Sequence, residues 1–199
     1  MNKKIILIMS TLLIAILSVS TVSSADWTMF HENKEHTGFI EEIGDYVPNV
    51  WAKDLGSPIR SSSAIKGKTM YTALENGSLQ AIDMETGDVN WTYEFNTTIT
   101  GSPVISGDKL YIGGFDNYLY CFDIENKKIL WKFKTSGPVE STPSVNDGVV
   151  YFGSNNGHVY ALNDVDGSKI WESKEYGEIK SSPLVVNDTL VIGASVSTI

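Results

Sequence analysis

With a single cysteine, Cys121, the chain can form no intramolecular disulfide and no multi-cysteine metal site. Cys121 stands where two other copies of a repeat, described below, have Ala81 and Ala161, which marks it as a small buried hydrophobe rather than a reactive thiol. Arginine is as scarce: Arg60 is alone, and Lys+Arg 15 against Asp+Glu 24 leaves a formal charge of −9. A chain without clustered positive charge is not expected to bind nucleic acid or anionic lipid surfaces. His31 and His36, five apart, have no third ligand at a metal-binding spacing, so packing is the expected role. Beyond residue 25 no stretch carries apolar residues at the helical period, which leaves an all-β reading.

Long apolar runs are missing too. The one from Ile5 to Ile16 falls short of the ~20 residues that span a bilayer. It follows Lys3 and Lys4 and precedes the small residues Ser23 and Ala25, the order of parts in a secretory signal peptide over 1–25, cleaved near Ala25. The expected location is therefore extracytoplasmic: secreted, cell-surface or periplasmic. No cysteine follows the cut, so a lipid anchor there is not expected, and removal of two lysines moves the formal charge from −9 to −11. Asn76, Asn90, Asn96 and Asn187 head acceptor triplets for glycosylation in an exported protein. Residues 26–50 form a lead-in, Trp27 to Gly38 followed by an acidic linker to Pro48.

What is present is repetition. Trp51, Trp91, Trp131 and Trp171 recur every 40 residues without insertion or deletion. Ile59, Ile99, Val139 and Ile179 share a column, as do Ser62, Ser102, Thr142 and Ser182, then Tyr71, Tyr111 and Tyr151. A period near 40 with four strand-sized pieces predicts a β-propeller of four-stranded antiparallel blades, since one such unit buries its faces only by stacking on neighbours. The copies are 51–90, 91–130, 131–170 and a partial 171–199. In the first, strands are predicted over 59–65, 68–74, 78–83 and 88–95, with a further short strand over 50–54 around Trp51. Lys66-Gly67-Lys68 and its counterparts join the first strand to the second. Asn76-Gly77 and Asn156-Gly157 join the second to the third, read as type I′ turns, with Asp116-Asn117 in the middle copy. Thr86-Gly87 and Asp166-Gly167 lead into the fourth strand.

Two features have competing readings. Gly101-Ser102-Pro103, Ser141-Thr142-Pro143 and Ser181-Ser182-Pro183 are placed on the innermost strand, where an edge accepts proline and the axis favours small side chains. Their hydroxyls satisfy backbone groups rather than form a ligand ring. The four tryptophans are inter-blade packing residues, each burying ~150–250 Å², worth at most about 4–6 kcal/mol. The column Arg60, Thr100, Glu140 and Lys180 differs in charge at one repeat position and is the candidate ligand-facing set.

Ala81-Ile82-Asp83-Met84-Glu85-Thr86-Gly87-Asp88-Val89-Asn90-Trp91 resembles the tryptophan-docking motif of quinoprotein-type, PQQ-like repeat β-propellers. Residues 161–171 match with Asn163 for the aspartate, and 121–131 depart at Cys121, Asn126 and Lys127. The Gly-His and Trp-Asp pairs of WD40 repeats are missing. The catalytic members that the resemblance implies carry an adjacent-cysteine disulfide over the quinone, a calcium ion and a catalytic aspartate. One cysteine cannot supply the first, and Asp164-Val165-Asp166-Gly167-Ser168 reads as a hairpin turn, so no catalytic, cofactor-binding or metal residue is carried over and PQQ with calcium is not expected. Non-catalytic relatives act as scaffolds. The expectation is a secreted or cell-surface binding scaffold for a protein or cell-envelope ligand, against two other readings: a fragment or remnant of a PQQ-dependent oxidoreductase, or a surface-layer or adhesion component. With about three and a half blades present, ring closure by this chain alone is not expected; a truncated propeller, self-association or strand donation would account for the rest.

Overall fold

The computed structural model describes residues 51–186 and 189–195; the signal-peptide and lead-in readings, with His31, His36 and Asn187, lie outside them. Three four-stranded antiparallel sheets follow one another, each a meander in chain order. The first comprises β1 (Ala64–Lys66), β2 (Thr69–Ala73), β3 (Ser78–Asp83) and β4 (Val89–Glu94). The second has β5 (Val104–Ser106), β6 (Lys109–Gly113), β7 (Tyr118–Asp123) and β8 (Lys128–Lys134). The third has β9 (Ser144–Asn146), β10 (Val149–Gly153), β11 (Val159–Asn163) and β12 (Lys169–Glu172). A two-stranded sheet, β13 (Leu184–Val186) with β14 (Thr189–Val191), is the half blade. No helix occurs among the described residues. The innermost strands β1, β5, β9 and β13 neighbour one another in that order, which is the convergence of blades on a propeller axis.

Side chains pack between blades, not within them. Leu79, Phe95, Tyr120 and Phe122 fill the gap between the first two sheets, with Trp91 and Tyr93 against them. Tyr111, Cys121, Phe152 and Tyr160, backed by Trp131 and Phe133, fill the next. Tyr93 and Phe122 approach to 4.6 Å, and Phe152 stacks on Tyr160 at 5.1 Å. A face buried only by its neighbour explains why the repeat must recur.

Three local expectations are corrected. The first strand of each blade is three residues long, 64–66 rather than 59–65. The Ser-Ser-Pro segments precede it: Pro103 has no N–H for a ladder, and the residues before it bond sideways to the next blade. Ser62 N–H donates to Ser102 Oγ and Ser102 N–H to Thr142 Oγ1, both at 3.0 Å and each spanning one repeat. Ser141 Oγ accepts from Gly153 N–H at 3.1 Å and Ser181 Oγ from Gly193 N–H at 2.9 Å, so a neighbouring hydroxyl ties these blades to their own second strands, while Gly101 leaves the second blade without one. Second, 51–54 forms no strand. A fourth strand needs a third to pair with, and this stretch is held instead by Trp51 and by Lys53, which pairs with Asp88 at 3.2 Å. Third, the turns after β2 are not type I′, because Asn76 and Asn156 do not take positive φ. Gly77 N–H returns to Leu74 O at 2.9 Å and Leu74 N–H to Ser78 O at 2.8 Å, a three-residue loop whose last residue alone, Gly77 at φ 93°, is left-handed. Asn76 Oδ1 accepts from Ser78 N–H at 3.1 Å, so asparagine is used for its side chain.

The hydroxyl links between blades carry an expected result. Thr142→Val keeps the shape of the side chain and leaves the buried Ser102 N–H without an acceptor, at a cost of about 1–3 kcal/mol, while Thr142→Ser retains the bond and costs less. Urea unfolding of the two variants decides; equal costs would mean that the hydroxyl contributes nothing.

Candidate functional site

Tryptophan docking orients the blades. Trp51 Nε1–H donates to Met84 O at 2.9 Å and Trp131 Nε1–H to Asp164 O at 3.2 Å, each indole lying on the β3–β4-type turn of the blade that follows. The turn is prepared for this by its aspartate: Asp83 Oδ1 accepts from Thr86 N–H at 3.0 Å and Glu85 N–H at 2.8 Å, which holds its carboxyl below the usual range. In the middle copy Lys127 takes the glycine position at φ 53°, and its Nζ lies 5.7 Å from the Trp91 ring centre. Trp171, 39 % exposed, lies 6.3 Å from Tyr151, and the described residues contain no later turn for it to rest on.

At the opposite end of the blades, each crossover into an innermost strand is held by the turn after the second strand. Glu75 N–H donates to Pro58 O at 2.9 Å, Phe115 N–H to Thr98 O at 3.0 Å, Asn155 N–H to Pro138 O at 2.9 Å and Ser195 N–H to Glu178 O at 2.9 Å. Ile99, Val139 and Ile179 are buried beneath, so the next residue in each copy, Thr100, Glu140 or Lys180, has a fixed root. Ile59 is exposed, yet Arg60 Nε still meets Glu75 Oε1 at 2.8 Å. Glu140 accepts from Asn155 Nδ2 and lies 3.5 Å from Lys180 Nζ, which also meets Glu178 at 3.4 Å. Glu140 first and Glu178 second hold the Lys180 ammonium above its ordinary range. The Thr100 Oγ1 and Asn155 Oδ1 atoms are buried without a partner. Phe115 is an exposed aromatic on the same rim. A groove of about 740 Å³, lined by Asn155, Asn156, Glu175, Tyr176 and Glu178 among others, lies beside Ser195.

The structure thus brings Glu140 and Lys180 together, while Arg60 is engaged with its own blade's turn. Glu75, Phe115 and Asn155 belong to the same face and were not singled out from the sequence. Their signal was available: they too occupy one repeat column and differ in chemistry. Asn76, Asn90 and Asn96 are all exposed, Asn90 on β4 and Asn96 at φ 55° in the crossover beyond it.

Cys121 is fully buried between blades, and burial pushes its thiol up to about 12. Among the described residues no group of three or more His, Cys, Asp or Glu is placed to hold a metal ion.

A family model described as outer membrane protein assembly factor BamB matches residues 48–111 and 75–198. Comparison with curated proteins gives no match. Among solved structures, BamB from Moraxella catarrhalis is 22% identical with a TM-score of 0.61, over 70% of this chain and 48% of that one. Quinohemoprotein alcohol dehydrogenase from Comamonas testosteroni is 18% identical with a TM-score of 0.66, over 80% of this chain and 28% of that one. The computationally designed Ika4 protein is 14% identical with a TM-score of 0.65, over 76% of this chain and 93% of that one. Identities this low show the fold alone. The chain spans about half the length of BamB and less than a third of the dehydrogenase.

Proposed function

Because the chain belongs to the PQQ-like repeat family of β-propellers, we propose that it is an extracytoplasmic binding scaffold that holds a protein or cell-envelope ligand on the crossover face, without a quinone cofactor. The fold is used both by a protein named as an assembly factor and by one named as a dehydrogenase, so it does not choose between them. The observation that carries the proposal is the chemistry of one repeat position. Arg60, Thr100, Glu140 and Lys180 stand on a constant hydrogen-bonded frame, placing a cation, a threonine whose hydroxyl is buried, an anion and a second cation around one rim, with Phe115 exposed beside them. A rigid scaffold with variable tips is how repeat folds make specific surfaces.

A photoreactive residue at Thr100 or Phe115, in the full chain expressed in its native cells, is expected to yield a discrete cross-linked species. The same residue at Glu85, on the opposite end of the blades, is not. Identical products from all three positions, or none from any, would overturn the proposal. Pyrroloquinoline quinone with calcium is expected to leave the melting temperature unchanged. Stabilisation of about 2.7 kcal/mol at a hundredfold excess over Kd would place the chain with the dehydrogenases instead.

A further inference from the structure

On the outer edge of the second blade, alone among the described residues, two lysines lie over one aromatic ring. On β8 Lys132 and Lys134 are exposed on the face they share with Tyr118 and Tyr120, while Trp131 and Phe133 pack in the gap toward the third blade; Lys128 lies beyond a bulge, on the other face. Lys132 Nζ lies 4.5 Å and Lys134 Nζ 5.8 Å from the centre of one ring, that of Tyr118. The register explains the convergence, since Tyr118 opposes Lys134 and Tyr120 opposes Lys132 across the β7–β8 pair. Several other lysines find carboxylates: Lys66 meets Asp108, Lys68 meets Glu85, Lys109 meets Asp164, Lys169 meets Glu172 and Lys180 meets Glu140, while Lys127 and Lys174 lie singly over Trp91 and Tyr176. Among the described residues Lys132 and Lys134 have no such partner, and the nearby Asp116 accepts the Tyr120 hydroxyl.

Lysine on an edge strand also discourages unwanted pairing, and that role alone would leave the ammoniums spread in solvent. It would also be wanted on the other outer strands, where β4 instead exposes Asn90, Thr92 and Glu94 and β12 neutralises Lys169 with Glu172. In a chain with a formal charge of −9, two unneutralised cations drawn over one aromatic ring form a preorganised anion site. Because β8 has a neighbour on one side only, its other side offers backbone donors and acceptors.

We propose that the outer edge of β8 docks an acidic polypeptide segment in extended conformation, its backbone pairing with β8 and its alternate carboxylates meeting Lys132 and Lys134. Side chains two apart on a strand share a face at ~6.6–6.8 Å, and opposite charges directly across a ladder attract. Tyr118 supplies the flat apolar floor against which the cations are held. This surface lies on the outer edge of the blade, whereas the scaffold reading rests on Thr100 and Phe115, so substitutions at Lys132 and Lys134 and cross-links from Thr100 and Phe115 let the two fail separately.

The test titrates the full chain with a synthetic peptide alternating glutamate and threonine, a version with glutamine for glutamate, and vesicles containing phosphatidylglycerol. The acidic peptide is expected to bind in a salt-dependent manner and to slow hydrogen exchange of β8 amides. The neutral peptide should bind at least roughly tenfold more weakly. Lys132→Gln with Lys134→Gln should weaken the acidic peptide by a similar factor, with far-ultraviolet circular dichroism confirming the fold, whereas Lys68→Gln should not. Binding that survives the double substitution overturns the proposal, as does exchange protection confined to other strands. Vesicle binding without peptide binding would overturn it in favour of a membrane surface.

Discussion

Replacing Trp131 by alanine is expected to lower the unfolding free energy by about 3–5 kcal/mol, and replacing Trp171 by about 1 kcal/mol. In sequence the two residues are equivalent, one repeat apart. In the structure Trp131 lies between Tyr111, 5.9 Å away, and the turn of the third blade, to which its indole N–H is bonded. It also backs the cluster that contains Cys121, Phe152 and Leu162. Its removal takes away contacts on both sides and the donor to Asp164 O, in a gap that cannot collapse because both sheets are laddered. Trp171 has only the inner half of that environment: Tyr151 on one side, with Val185 and Leu190 beyond, and 39 % of its surface in contact with solvent. Urea unfolding followed by circular dichroism, which does not depend on tryptophan emission, gives both values. Equal losses would mean that docking on the following turn contributes nothing beyond burial of the ring.

That contrast also marks what could be read from the sequence. The period of 40, the four strand pieces and the tryptophan column led to blades because spacing constrains which residues can stack, and stacking is the dominant energy of the fold. The innermost strand is shorter than its composition suggests, because the Ser-Ser-Pro residues look like strand on composition alone. Only the position of the next blade shows that Ser62 and Ser102 spend their N–H groups sideways. The type I′ assignment failed for a local reason. Asn-Gly suits two turn classes, and the loop after β2 is one residue longer than a two-residue hairpin, so only Gly77 needs positive φ. In the middle copy Asn117 takes that position at φ 74°, a conformation asparagine tolerates. The candidate column was legible by number but not by pairing. The Glu140–Lys180 contact joins neighbouring blades, and the involvement of Glu75 and Asn155 depends on which turn folds over which crossover. The lysine strip on β8 was hidden by the low overall positive charge, because net charge averages over a surface on which signs are segregated.

Gly167→Ala tests the docking from the other partner. Gly167 sits at φ 71°, and a Cβ built there would lie 2.6 Å from Trp131 Cε3. Two penalties combine: about 1–2 kcal/mol for a non-glycine residue in the left-handed region and about 1–3 kcal/mol for overpacking against a ring that cannot retreat. The substitution is expected to cost about 2–5 kcal/mol in all. Gly67→Ala is the control for the first penalty, since Gly67 has φ 60° but no atom within 4 Å of its built Cβ. Lys127, at φ 53° in the equivalent position of the second blade, shows that the backbone conformation by itself is affordable, with its ammonium resting over Trp91. The decisive measurement is therefore the double-mutant cycle. In a Trp131→Ala background the clash has no second partner, so Gly167→Ala should fall to about the cost of Gly67→Ala, a coupling of about 1–3 kcal/mol. If Gly167→Ala costs the same with and without the indole, the ring is not held against the turn. The stability lost in Trp131→Ala would then have to come from the Tyr111 and Cys121 side of the gap alone.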